Sequence, residues 1–435
     1  MDQHPLRELN GKVSPVKVFP YSLQQILAMF VNNLVPIGII TAAVSPELPQ
    51  EMILVLIQNA MLAAGIATFV QATPFWRLGS GLPIFMGISF TFVVPLSVVA
   101  SSHGYGAVVG CVLAGGVFEG LLGLTAKYWK NLISPIVSAV VVTGIGVSLL
   151  STAARSFGGG YTDDFGSVPN LVSGIVTLAS CLLWQIFLKG TKKQLSLLAG
   201  LTAGYLTALL FGLVDLSHLT ECGWFALPRI LPVPPVFRLD AIISICIIYL
   251  VSATETIGDI SALTGGALHR QAKPNEISGG LAVDGFGSAV GGLFGTAPVT
   301  SYSQNIGLTI MTGIVNRNVA RVGALIMILC SLFPPVGQFL RSVPVSVIGG
   351  VLLIVIGQIL VSGFQMIAET GFTARNKIIA SLSLAMGIGF TASTEAGIWD
   401  QFPVAVRSVF SQNVVAVIFV VALILNLVLP KHISE

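Results

Sequence analysis

The chain has 435 residues, 54% of them hydrophobic and only 9% charged, with a mean hydropathy of +0.90 and a formal net charge of +3. Soluble globular chains carry about 25% charged residues, so one soluble domain around a single core is excluded. The five cysteines (Cys111, Cys181, Cys222, Cys246 and Cys330) are scattered, and their spacing suggests neither a disulfide framework nor a metal site.

A bilayer-spanning helix needs roughly 20 mostly apolar residues, and parsing on that length predicts about fourteen spans. The first, 20–42, follows a polar stretch and is too long for a signal-peptide core, so it is read as a retained membrane helix. Span 52–72 follows. The third, 82–100, is entered through Gly79 to Pro83 and mixes β-branched and aromatic residues with Gly and Pro up to Pro95. The fourth, 104–125, contains Glu119, and 131–150, 168–189 and 195–213 complete a first group of seven. The eighth, 240–262, carries Glu255 and Asp259, and the ninth, 277–295, carries Asp284. The tenth, 298–314, is entered through Gly295 to Pro298 and carries Gln304 and Asn305. Spans 319–336, 344–363, 375–391 and 411–429 end the chain.

Orientation can be tested internally. With the N-terminus inside, sixteen of the 21 Lys and Arg fall on the cytoplasmic side, Lys130, Lys192, Lys193 and Lys431 among them. Positive residues favour cytoplasmic loops, so the bias predicts both termini inside, and the positive net charge needs no nucleic-acid partner. Seven spans per group make the second group enter the membrane from the opposite side, the arrangement of inverted-repeat transporters. The third span of each group is a poor continuous helix, and interrupted spans at matching positions point to a midplane binding site. The competing reading is a pair of Gly/Pro kinks that serve only helix packing.

Four acidic residues lie inside predicted spans: Glu119, Glu255, Asp259 and Asp284. Each costs roughly 2.5–3.5 kcal/mol at a helix centre, so the last three together cost on the order of 8–10 kcal/mol. No Lys or Arg falls in their spans, which argues against structural ion pairs and for function. Glu255 and Asp259 are four apart and share a helical face; Ser252 and Thr256 lie near that face and are expected to bond it. Glu119, among Gly and Leu near the end of its span, reads as structural. None of the five histidines (His4, His103, His218, His269, His432) falls in mid-span, so any proton coupling must use a carboxyl group. Gln304 presents one acceptor and two donors in a plane, which suits the alternating N–H and C=O edge of a planar base. Asn305 could bond the neighbouring segment or a carboxyl instead.

Gln304-Asn-Ile-Gly-Leu-Thr-Ile-Met-Thr-Gly313 resembles the signature of the nucleobase–ascorbate transporter family. Ala253 to Asp259, Ala282 to Gly285, Phe157 to Gly160 and Phe165 to Ser167 are also similar to family blocks. The resemblance implies an all-α polytopic membrane protein of fourteen spans in a seven-plus-seven inverted repeat, with short β-strands in broken spans 3 and 10. A core domain would comprise 17–126 and 237–340, and a gate domain 127–236 and 341–435. It further implies a secondary transporter, not an enzyme, and a homodimer without cofactor or metal, usually driven by protons. The base would be held by Glu255 and Gln304, with backbone amides near Thr91 and Phe92 and with Asn305 beside them; Asp284 and Asp259 would support the site or carry the proton. Gln304 with Thr312 and Gly313 resembles the xanthine and uric acid branch; uracil, or an anion on the same fold, is the alternative. Two positions depart from the family pattern. Gln25 stands where bacterial relatives commonly have His, and Ile306 resembles the uracil branch.

Overall fold

The structure, a computed structural model, describes residues 5–129, 134–160, 164–189, 195–214, 223–392, 397–402, 406–407, 410–411 and 413–430. Lys130, Lys192, Lys193, Lys431, Cys222, His4, His218 and His432 lie outside the described residues.

The chain is mostly helical. In order it forms α1 (Pro15–Ala42), α2 (Gln50–Ala72), β1 (Met86–Ile88), α3 (Val93–His103), α4 (Tyr105–Leu124), α5 (Ala126–Trp129), α6 (Pro135–Phe157), α7 (Val168–Phe187) and α8 (Ser196–Leu210). Then come α9 (Leu239–Leu268), α10 (Pro274–Leu293), β2 (Val299–Ser301), α11 (Ser303–Thr312), α12 (Arg317–Ser331), α13 (Pro334–Arg341), α14 (Val345–Glu369), α15 (Ala374–Ala392) and α16 (Val414–Val428). Seven described helices, α1, α2, α4, α6, α7, α9 and α14, are long and apolar enough to cross a bilayer. The chain is therefore a polytopic membrane protein. Leu182, Leu183, Ile186 and Phe187 on α7 stand exposed, as side chains facing lipid do. Pro20 and Pro36 fall inside α1, where neighbouring helices can re-satisfy the backbone groups that proline frees.

Glycine sets the closest packing. A Cβ at Gly285 of α10 would stand 1.9 Å from the Gly120 amide nitrogen of α4, and one at Gly349 of α14 would stand 2.1 Å from that of Phe157 at the end of α6. The pairs α4 with α10, α2 with α12, α6 with α14, α7 with α8 and α15 with α16 form the main contacts. One apolar cluster gathers residues mainly from α1, α2, β1, α3, α4, α9, α10 and β2, including Phe92, Tyr249 and Ile260. A second gathers α6, α7, α8, α14, α15 and α16, and Val35, Val93 and Val251 reach it from α1, α3 and α9.

The two short strands pair antiparallel, Met86 with Ser301, Gly87 with Thr300 and Ile88 with Val299. The pairing continues at both ends, where the Ser89 amide donates to Pro298 (2.9 Å) and the Tyr302 amide to Phe85 (3.0 Å). A two-stranded ribbon inside a membrane leaves its outer polar groups to be satisfied by side chains. Thr68 of α2 accepts from the Met86 amide (2.9 Å), and Ser288 of α10 accepts from the Val299 amide (3.0 Å) while donating to the Val299 carbonyl (3.0 Å). Asn33 accepts from the Ile88 amide (2.8 Å), and the Tyr302 hydroxyl donates to the Ile88 carbonyl (2.9 Å).

Candidate functional site

Each strand runs directly into a half-helix. A 3-10 turn, Phe90–Phe92, joins β1 to α3, and Tyr302 joins β2 to α11. Because the strands are antiparallel, α3 and α11 start from opposite ends of the short ribbon and run in opposite directions. Helix N-termini carry unsatisfied N–H groups and a partial positive charge of about +0.5, which suits electron-rich carbonyl oxygens of a ligand.

The long helix α9 crosses this junction and brings two of the carboxyls. Glu255 is half-buried, and its Oε2 accepts from the Thr91 hydroxyl at 2.9 Å. Its other oxygen has no donor among the described residues. Asp259, one turn on, accepts from Ser301 at 2.6 Å and from the exposed Ser303 at 2.7 Å. Space is open beside Gly258 of α9 and Gly307 of α11. Gln304 is half-buried on the first turn of α11.

Asp284 lies deeper, on α10, with 0% exposure. Its Oδ2 accepts from Thr256 (2.6 Å), Thr300 (3.2 Å) and Ser252 (3.4 Å). This corrects the expectation that Ser252 and Thr256 bond the face of Glu255 and Asp259. Both hydroxyls turn to the neighbouring helix, because α10 packs against α9 there and offers a buried carboxyl oxygen that accepts from them. The strand residue Thr300 joins them, so Asp284 ties α9, α10 and β2 together.

Asn305 bonds neither the neighbouring strand nor a carboxyl through its Nδ2. It donates to the Gln25 carbonyl (2.9 Å) and to Gln25 Oε1 (2.8 Å). Gln25 in turn donates to Thr309 (3.1 Å), so this pair of amides clamps α11 to α1 behind the half-helix terminus. The Phe92 ring is fully buried and packs on Tyr249, with centroids 4.5 Å apart. Its side chain thus belongs to the apolar core beside the site.

At the loop between α9 and α10, Arg270 grips Glu276 with two bonds, of 2.8 and 2.6 Å, and the Lys273 amide adds a third at 2.8 Å. Burial alone would push the Glu276 carboxyl up, but these donors outweigh it and hold it below the usual carboxylate range. The turn thereby fixes the two helices that carry Glu255, Asp259 and Asp284. Two surface hollows, one between α14 and α15 and one around His269 to Ala272, contain none of these carboxyls.

Sequence reasoning missed Ser288, Thr68 and Asn33, whose side chains hold the strands in place. Their only signal was a small polar residue inside an apolar span, which is common in membrane helices. Glu119, read from the sequence as structural, is fully buried on α4.

Apolar helices threaded by two interrupted segments, with carboxyls gathered at their crossing, define a membrane permease. Residues 16–396 match a family model described as Permease family. The chain is similar to the uric acid permease PucJ of Bacillus subtilis (strain 168), 31% identical over 92% of this chain and 90% of the relative. It is also similar to the xanthine permease of the same bacterium, 30% identical over 95% of this chain and 93% of the relative. Among solved structures, the transmembrane domain of a cyanobacterium bicarbonate transporter, BicA, shares the fold with a TM-score of 0.57 at 15% identity, covering 97% of this chain and 100% of that one. The chain belongs to the nucleobase–ascorbate transporter family.

Proposed function

We propose that this permease imports a purine base, xanthine or uric acid, by proton symport across the cell membrane. The observation that carries the reading is the crossing of β1 and β2. There α9 brings Glu255 to Thr91 at the entry to α3 and, one turn on, Asp259 to Ser301 and Ser303 at the entry to α11, whose first turn carries Gln304, so acceptors, donors and partial positive charge lie along one ribbon. A purine dione presents N–H groups to the carboxylate and C=O groups to the amides. The relatives named as xanthine and uric acid permeases support that choice.

The likeness of fold to a bicarbonate transporter keeps an inorganic anion in view as a second cargo. An anion site calls for a cation, and β1, α3, β2 and α11 contain no Lys or Arg. Uracil is the other alternative within the family.

The same reading takes the chain as fourteen spans in two inverted groups of seven, with both termini cytoplasmic, working as a homodimer. Thr68 on the second span of one group and Ser288 on the second of the other hold the strand that follows each, which supports the repeat. So do the helix pairs: α2 with α12 is the inverted counterpart of α4 with α10, and α7 with α8 that of α15 with α16. The two apolar clusters, drawn mainly from 17–126 with 237–340 and from 127–236 with 341–435, support a division into a core domain and a gate domain with those bounds. Movement of one against the other would alternate access, with Asp284 and Asp259 carrying or supporting the proton and Gln25 and Asn305 bracing the site.

The test is a radiolabelled uptake panel of xanthine, uric acid, hypoxanthine, guanine, uracil and bicarbonate in cells lacking their own carriers. Saturable uptake of xanthine or uric acid, abolished by collapsing the proton gradient, is the expected result. Uptake of uracil or bicarbonate alone would overturn it.

A further inference from the structure

One acidic side chain in the membrane interior has no part in the site just described. Glu119 of α4 is 0% exposed, and among the described residues neither of its carboxyl oxygens has a partner at hydrogen-bonding geometry. It sits in one of the closest helix crossings among the described residues. Cβ atoms at Gly116 and Gly123 of α4 would stand 2.5 Å and 2.3 Å from the amide nitrogens of Ala289 and Ala282 on α10. Between them, Gly120 and Gly285 meet backbone to backbone. Glu119 precedes Gly120 and Asp284 precedes Gly285, so the crossing sets two acidic residues side by side. Asp284 Oδ1 is likewise buried without a partner.

The groups that face Glu119 are Asp284 on α10 and Ser252, Glu255 and Tyr249 on α9. None is a cation. Ser252 lies between the two carboxyls, donating to Asp284 Oδ2 at 3.4 Å. Buried polar atoms are nearly always bonded, and those that are not call for an explanation. Three buried carboxyl oxygens with no donor among the described residues cannot all belong to ionised groups, because paired like charges without a counter-ion are too costly there. A proton supplies both the missing donor and the missing charge.

We propose that Glu119 and Asp284 form a proton-sharing carboxyl pair across the α4–α10 crossing, Glu119 being a second proton-holding group of the coupling machinery. The proposal rests on the proton-symport reading. A pair of this kind titrates as a unit, so removing one member changes the proton affinity of the other. Ser252 would relay the proton between them.

The experiment uses the purified full chain in liposomes, with labelled xanthine and an internal pH dye, to read initial rate against pH and protons per xanthine. Wild type comes first: if an acid-outside gradient does not drive its uptake, the symport reading itself fails, whatever Glu119 does. Given a coupled wild type, Glu119→Gln should move the half-maximal pH toward acid by about one unit or more, because Asp284 loses its like-charged neighbour, and should lower the protons carried per xanthine. Glu119→Asp keeps a carboxyl but draws it back, so it should move the midpoint less and in the same direction. That variant decides the question if the Gln variant does not fold. A wild-type pH profile and proton ratio in Glu119→Gln, or in Glu119→Asp where that variant decides, would overturn the pair and leave Glu119 a packing residue. A sodium requirement of the wild type that vanishes in Glu119→Gln would also overturn it, giving the site to a metal cation.

Discussion

Glu255 illustrates what one residue contributes at this site. One oxygen is tied to Thr91, and the other has no donor among the described residues, so it remains available to an N–H group of the ligand. Charge-assisted bonds are worth roughly 1.5–3 kcal/mol each, and 1.4 kcal/mol is about tenfold in affinity. Glu255→Gln should therefore raise the apparent KM for xanthine uptake at least tenfold or abolish uptake; unchanged kinetics in a variant of normal abundance would remove Glu255 from the ligand. Gln304 gives a sharper test through Gln304→Glu, since an amide both donates and accepts whereas an ionised carboxylate only accepts. Facing a carbonyl of xanthine or uric acid, the carboxylate costs about 1–3 kcal/mol, so both should weaken selectively while a base with two adjacent N–H groups improves. An equal loss for every base in the panel would mean that Gln304 only caps α11. The acidic residues were legible because a charge in an apolar span is rare and expensive. Their partners were not. Ser252 and Thr256 share a helix with Glu255, yet they serve Asp284, since a helical period gives the face of a side chain but not the neighbour that face meets. Asn305 was likewise open between partners until α1 was seen to bring Gln25 against it.

Among elements, the interruptions in spans 3 and 10 stood out through Gly, Pro and β-branched residues, but nothing in the spacing could pair β1 with β2 across more than 200 intervening residues. Their register depends on side chains from other helices. Ser288 accepts from the Val299 amide and donates to its carbonyl, and Thr68 accepts from the Met86 amide. Ser288→Ala leaves a buried strand N–H unpaired at a cost of about 1–3 kcal/mol. It should lower the thermal unfolding midpoint in detergent and weaken xanthine binding together, because β2 carries the entry to α11. Ser288→Thr, which keeps a hydroxyl, should recover most of both. Thr68→Ala should resemble Ser288→Ala, since the two residues do the same work on the two strands. A wild-type midpoint in Ser288→Ala would mean that the Val299 amide has another acceptor.

For the whole molecule, hydropathy and the Lys and Arg bias made the membrane class and a proposed orientation legible, while a division into two parts came only through the family resemblance, because each apolar cluster draws on helices far apart in sequence. The structure adds a consistency that hydropathy alone lacks. His103 at the end of α3 meets Asp240 at the start of α9, 3.4 Å apart, and both lie on the side assigned to the exterior. Arg77 after α2 donates to the Leu124 carbonyl at the end of α4 (2.9 Å), on the side assigned to the cytoplasm. Single cysteines can settle which side is which. Trp76 in the α2–β1 loop is 76% exposed, and Trp224 in the connection between α8 and α9 is 81% exposed, so a thiol at either position is open to a water-soluble reagent. Among the native cysteines, Cys111 and Cys181 are buried and Cys246 and Cys330 lie within helices, and Cys222→Ser removes the one near Trp224. In that background Trp224→Cys should react with a membrane-impermeant maleimide in intact cells, whereas Trp76→Cys should react only after permeabilisation. The reverse pattern would turn the molecule over, placing the positive loops outside against their bias, and labelling of both in intact cells would mean that the span count between residues 76 and 224 is wrong.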